Sequence, residues 1–157
     1  MKLIKLPKMD KEEIKASIEK KNLCRIAFID NNYPYISPFQ YVLFNNSLYF
    51  HLTDYGKKKN ILTKNTKVCV SIEDFSPDLS KYHFISIQGK LKLVEDQREK
   101  VEVVKRMIDR AKNNFSTNFL SAHGFEREIG WERIQAEGQL IYKLEEVGSR
   151  IGLKSKE

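Results

Sequence analysis

Apolar and polar residues alternate with a period of two along most of this chain, which commits the backbone to strands. Residues 23–29 (LCRIAFI), 35–44 (YISPFQYVLF), 47–53 (SLYFHLT), 67–73 (KVCVSIE), 82–94 (YHFISIQGKLKLV) and 133–145 (RIQAEGQLIYKLE) carry the pattern. Polar turns at Asn31-Asn32-Tyr33-Pro34 and Asn45-Asn46 join the first three, and Asn tolerates the positive φ of a tight hairpin. Pro38 has no N–H to donate, so its strand belongs at a sheet edge or a bulge. Gly89, inside the longest run, predicts a bulge or bend. There is no βαβ unit and no internal repeat. The expected fold is mainly β, a six-stranded antiparallel barrel with flanking helices.

The 157 residues suit a single domain, 1–157. It divides into an N-terminal helical segment (1–21), barrel strands (22–95), a helix (96–112) and a last strand (133–145). In the first helix, over 10–21, Asp10 and Glu13 form a capping box, Met9 and Ile14 a staple, and Ile14 and Ile18 a narrow apolar stripe. The 96–112 helix should bury Val101, Val104, Ile108 and Ala111. Residues 113–131 are poorly patterned, but Phe115, Phe119, Phe125 and Trp131 suggest packing. The tail from Gly148 reads as frayed.

The formal net charge is +7, and its distribution matters more than its size. Residues 1–21 carry seven Lys and four acids, net +3; residues 54–68 carry five Lys and one acid, net +4; the rest sums to zero. No apolar run approaches the roughly 20 residues of a membrane span, and the start has no apolar signal core. A cytoplasmic protein with no membrane partner is expected, with Cys24 and Cys69 as reduced thiols in apolar strands.

The commonest phosphate-loop, zinc-protease, esterase and kinase motifs are absent. His51, His83 and His123 have no metal-ligating partner at helical spacing, so no metal site is expected. The informative segment is Tyr49–Lys59, where a strand ends, Gly56 permits a turn, and Lys57, Lys58 and Lys59 follow. Cations in a first helical turn oppose the macrodipole, and an anion bound there would explain them. A solvated lysine run is the alternative. Arg25 interrupts an apolar strand and needs a partner, either an acid or a ligand phosphate. His51 faces away from Leu48, Phe50 and Leu52, near the same strand end.

These segments together resemble the pyridoxamine 5'-phosphate oxidase-like, FMN-binding split-barrel proteins, nearest the nitroimidazole-resistance branch. The matching elements are Arg25-Ile26-Ala27, Tyr33-Pro34-Tyr35, Ser37-Pro38-Phe39, Leu48–His51, Gly56-Lys57-Lys58, Asn65–Val70 and Tyr82–Gly89. The resemblance covers roughly residues 10–95. It implies a homodimer with two FMN sites between subunits. It places Arg25, Ile26 and Ala27 along the isoalloxazine and phosphate, His51 and Leu52 at the ribityl phosphate, and Lys57 and Lys58 on that phosphate. It also sets Phe39 and Gln40 near the ring, with Trp131 as a cover from the partner. Leu52 stands where relatives often have a hydroxyl or Cys, which leaves a backbone N–H contact. Lys57 replaces a common Arg or His. The motif of true pyridoxamine-phosphate oxidases is not visible, so conversion of that substrate is not expected.

The implied function is FMN-dependent oxidoreduction, with a nicotinamide as a possible donor and no catalytic side chain needed. Alternatives are a non-catalytic binder of flavin, the deazaflavin F420 or haem, with His51 or His83 as an axial ligand. A nucleic-acid-binding barrel is the third reading. The localised charge and the inward-facing aromatics weigh against nucleic acid.

Overall fold

The computed structural model describes residues 3–118 and 139–156. The alternating segments form one antiparallel sheet of β1 (Leu23–Asp30), β2 (Tyr33–Gln40), β3 (Val42–Phe44), β4 (Ser47–Leu52), β5 (Lys67–Phe75), β6 (Tyr82–Leu93) and β7 (Leu140–Lys154). Their spatial order is β2-β1-β5-β6-β7-β4-β3. The helices are α1 (Lys11–Lys20), α2 (Lys57–Lys64) and α3 (Gln97–Asn114). The sheet curls around a core in which Ile26, Phe50, Val70 and Ile87 have no exposed surface.

Seven strands replace the expected six because the 35–44 run is broken at Tyr41. Its buried hydroxyl donates to the Ile18 carbonyl at 2.7 Å. The chain pairs with β1 as far as Gln40 and with β4 from Val42. The first turn is shorter than expected: Asn31, at φ 53°, carries it, and Tyr33 and Pro34 already pair with Asp30 and Ile29. Both prolines of β2 sit in an edge strand, where a missing N–H costs no ladder bond. Asn45 and Asn46, at φ 48° and 59°, make the tight β3–β4 hairpin.

Gly89 marks the predicted bulge, since the β6–β7 register shifts between Gln88 and Lys90. A Cβ there would meet the Glu145 carbonyl at 2.8 Å. The last strand runs beyond the sequence expectation, and the tail thought to fray from Gly148 is ordered strand as far as Lys154. Its sequence, GSRIGLK, alternates poorly; β6 and the N-terminal arm supply its pairing instead. Gly152 accepts a hydrogen bond from the Met9 N–H at 2.9 Å and lies so close to Ile14 that a Cβ would sit 2.8 Å from that side chain. Residues 133–138 of the expected strand lie outside the described residues.

Helix α1 starts as the sequence predicts, with Asp10 and Glu13 in a reciprocal capping box and Ile14 and Ile18 buried. It lies across Asp74, His83 and Lys154, which are register partners on three neighbouring strands. Lys20 and Lys21 reach Asp74, Ser17 Oγ lies 2.8 Å from His83 Nδ1, and Glu13 pairs with Lys154. The spacing of these residues along one helix face matches the step from strand to strand. Helix α3 covers the other side of β3, β4 and β7. Val101, expected in its core face, is 45% exposed, and Val103 is buried instead. Tyr49 fixes this packing by donating to Glu99 Oε1 at 2.5 Å, and Lys143 Nζ lies 3.2 Å from the same oxygen.

Candidate functional site

Alternation along β1 sends Cys24, Ile26 and Phe28 inward and Leu23, Arg25, Ala27 and Ile29 outward. The Ile26 side chain is therefore core. Arg25 carries an ion pair, Nη1 to Glu73 Oε2 at 2.5 Å, and Ser71 Oγ donates to the other Glu73 oxygen at 3.2 Å. The acid partner, one of the two possibilities for Arg25, is thus present on β5.

The lysine segment begins α2. Gly56 occupies the N-cap at φ 88°, a conformation that glycine adopts without the penalty of a Cβ. No side chain caps the helix and no acidic residue lies in its first turn. Lys57 Nζ is 3.0 Å from Asp30 and 4.7 Å from the Tyr35 ring centroid. Lys58 Nζ lies 5.0 Å from the Phe39 centroid, and Lys59 pairs with Asp54 at 2.8 Å. Of the three ammoniums, that of Lys58 is the one with no carboxylate among the ion pairs of the described residues.

The structure therefore brings Lys57, Lys58 and Phe39 together, whereas Gln40, half-buried and next in β2, is the register partner of the outward-facing Leu23 and lies on the other face. Leu52 is buried at the end of β4, and His51 is half-buried on the opposite face of that strand. Arg25 and Ala27 lie elsewhere. They face outward, whereas Tyr35 and Phe39, under the lysines, are register partners of the inward-facing Phe28 and Cys24. Along β1, Arg25 is five residues, or roughly 16 Å, from the Asp30 that holds Lys57. Trp131 lies outside the described residues. His83, the other histidine considered as a ligand, is held by Ser17 beneath α1.

Sequence reasoning missed Asp30, Tyr35 and Glu73 as partners of the site cations, because all three pairings cross between elements. It also missed the outer face of the sheet. Leu23, Ile36 and Ile151 are 52%, 60% and 50% exposed there, around a floor of Ala27, Cys69, Ser71 and Ser86. Cys69 Sγ lies 3.2 Å from Ser86 Oγ. Cys24 is buried, and desolvation pushes its thiol up to about 12, which keeps it protonated and inert. Among the described residues no cluster of His, Cys, Asp and Glu could hold a metal, and no helix is long and apolar enough to cross a membrane.

Comparison with known proteins bears on the family and the fold. The pyridoxamine 5'-phosphate oxidase family model matches residues 10–129. No curated protein matches the chain. Among solved structures, an FAD-binding protein from Mesorhizobium loti is 16% identical, with 98% of this chain and 100% of that one covered at a TM-score of 0.64. A candidate 5-nitroimidazole antibiotic resistance protein from Bacteroides thetaiotaomicron is 20% identical, with coverages of 98% and 92% and a TM-score of 0.64. An FAD- and haem-binding protein from Mycobacterium smegmatis is 14% identical, with coverages of 94% and 72% and a TM-score of 0.66. At such identities the structures speak for the fold, and the family model speaks for descent: the chain belongs to the pyridoxamine 5'-phosphate oxidase family.

Proposed function

We propose that this protein binds a flavin, FMN in the first instance, and works as a flavin-dependent oxidoreductase. The observation that carries the reading is the start of α2. Three lysines sit in its first turn with no acidic residue and no side-chain cap, which is the arrangement an anion would stabilise. A phosphate there would take charge-assisted bonds from Lys58 and from backbone N–H groups of the first turn. Lys57 is partly neutralised by Asp30 and contributes less. Phe39 stands next to that position.

A bound flavin supplies electron transfer through its own ring system. The chain's task is then to hold and orient it, and no acid–base side chain is required. The electron donor in this reading is a nicotinamide. FAD-binding and haem-binding neighbours of the same fold support a flavin more directly than they support FMN over FAD.

The reading includes a homodimer. Exposed apolar side chains beside small residues suit a protein-binding face, and the outer face of the sheet carries Leu23, Ile36 and Ile151 with Ala27, Cys69, Ser71 and Ser86 between them. Arg25 and Ala27 lie on that face, across β1 from Lys58. A second copy seated there would bring these residues to a flavin held at the junction of two protomers, which one protomer alone does not do.

An absorbance spectrum of the purified protein tests the proposal, followed by titration with FMN and with FAD. Flavin bands, or saturable uptake, are expected. A colourless protein that takes up neither nucleotide would sink it. Tighter binding of FAD than of FMN would keep the flavin and replace the cofactor. Sedimentation at the mass of one chain would remove the dimer.

A further inference from the structure

The charge of the N-terminal segment plays no part in the flavin reading, and its placement points to a second surface. Residues 7–9 pair antiparallel with the end of β7, and residues 3–6 lead into them. The Lys154 N–H donates to the Pro7 carbonyl at 3.0 Å, the Met9 N–H donates to Gly152, and Lys8 bridges Leu153. Met9 is buried and anchors the arm. Past Pro7 the side chains lose cover: Leu3 and Ile4 are 75% and 74% exposed, and Leu6 is 39% exposed. Two adjacent aliphatic side chains this exposed gain nothing from water.

Continued at that register, residues 3–6 would run alongside and past Ser155, which pairs through its backbone with Tyr82 at the start of β6. The β5–β6 loop lies at the same end of the sheet. It holds Leu79 outward, 53% exposed and at φ 57°. Lys5, Lys8, Lys81 and Lys156 are exposed on the arm, beside the loop and after the end of β7, and none belongs to an ion pair among the described residues. The loop's own acid, Asp78, is occupied by Ser76 and Ser80.

Exposed aliphatic side chains on segments that also carry these lysines complement a surface that is apolar beneath and anionic on top. A bilayer containing anionic lipid has that chemistry: lysines are drawn to its surface potential, and Leu and Ile enter the interface. We propose that this end of the protein docks on anionic membranes through Leu3, Ile4, Leu6 and Leu79, lying on the bilayer without crossing it. RNA fits less well: Phe75, Tyr82 and Phe84 at this end of β5 and β6 pack against one another, and the side chains that the arm and the loop expose are aliphatic.

Co-sedimentation of the full chain with vesicles tests this, using phosphatidylcholine alone and phosphatidylcholine mixed with phosphatidylglycerol. Binding to the mixed vesicles is expected, with little to the neutral ones and less at high salt. Leu3→Ser/Ile4→Ser and Lys5→Glu/Lys8→Glu should each weaken it by about ten-fold or more while leaving the circular dichroism melt unchanged. Failure of the parent to bind mixed vesicles overturns the proposal, as does equal binding by the parent and the aliphatic variant. A shift of the aliphatic variant to lower mass without vesicles would make the arm a contact between copies and also overturn it. Flavin uptake reads the other proposal separately, since neither variant touches α2.

Discussion

Helices α1 and α2 begin in opposite ways. Asp10 caps α1, Glu12 and Glu13 lie in its first turn, and Glu13 returns a bond to the Asp10 N–H at 2.9 Å. Helix α3 follows the same rule with Asp96 and Glu99. Helix α2 starts on a glycine at positive φ and follows it with three lysines. Helices α1 and α3 supply their own anions for their exposed N–H groups and positive dipole ends; α2 adds positive charge to both. A helix start that opposes its own electrostatics has to be explained by something outside the helix, and in this chain it is the strongest pointer to a ligand.

The comparison can be broken at its largest effect first. Lys58→Ala should cost about 1–3 kcal/mol of flavin binding by isothermal titration, the range for a lost charge-assisted contact, and little stability. Equal affinity in parent and variant would place the phosphate elsewhere. Gly56→Ala should lower stability by about 1–2 kcal/mol in urea unfolding, because a Cβ is strained at that φ even though nothing crowds the position. Asp10→Ala should cost about 1 kcal/mol of stability through the lost cap and leave flavin affinity alone. Should it weaken flavin binding, α1 would be part of the site and the contrast would fail. Asp30→Ala removes the half-buried partner of the exposed Lys57, so stability should change by less than about 1 kcal/mol, with flavin affinity equal or higher.

The smallest effect is in acid. Lys20 and Lys21 hold the Asp74 carboxyl below its ordinary range, and Lys154 with the capping bond does the same for Glu13. A carboxylate with a depressed folded pKa stabilises above its unfolded pKa, and the contribution is lost as pH falls through the folded value. Melting temperature should therefore decline below the ordinary carboxylate range, and Asp74→Asn should flatten that decline. An unchanged slope in the variant would show that α1 is held mainly by Ile14 and Ile18.

Much of the fold was legible because its signals are local. Period two gave β1, β4, β5 and β6, and Asn45-Asn46, the Asp10–Glu13 box and Gly89 each did what their chemistry requires. The break at Tyr41 was not legible, because it depends on a hydroxyl bonded to the distant Ile18 carbonyl. The second half of β7 was missed because its residues alternate poorly and partners on both sides define it. At the site, Gly56 and the lysines could be read from the sequence. Their sorting into a neutralised Lys57 and an available Lys58 could not, because Asp30 reaches Lys57 from the end of β1.

The sequence by itself determined the antiparallel strands, the caps of α1 and the lysine-rich start of α2, since each depends on residues a few positions apart. Only the tertiary structure decided that Arg25 and Lys58 lie on opposite faces of the β1–β2 ribbon, and that apolar side chains remain outside the barrel. A strand's pattern fixes which residues share a face; it takes the curl of the whole sheet to decide which face is enclosed and which is left for a partner.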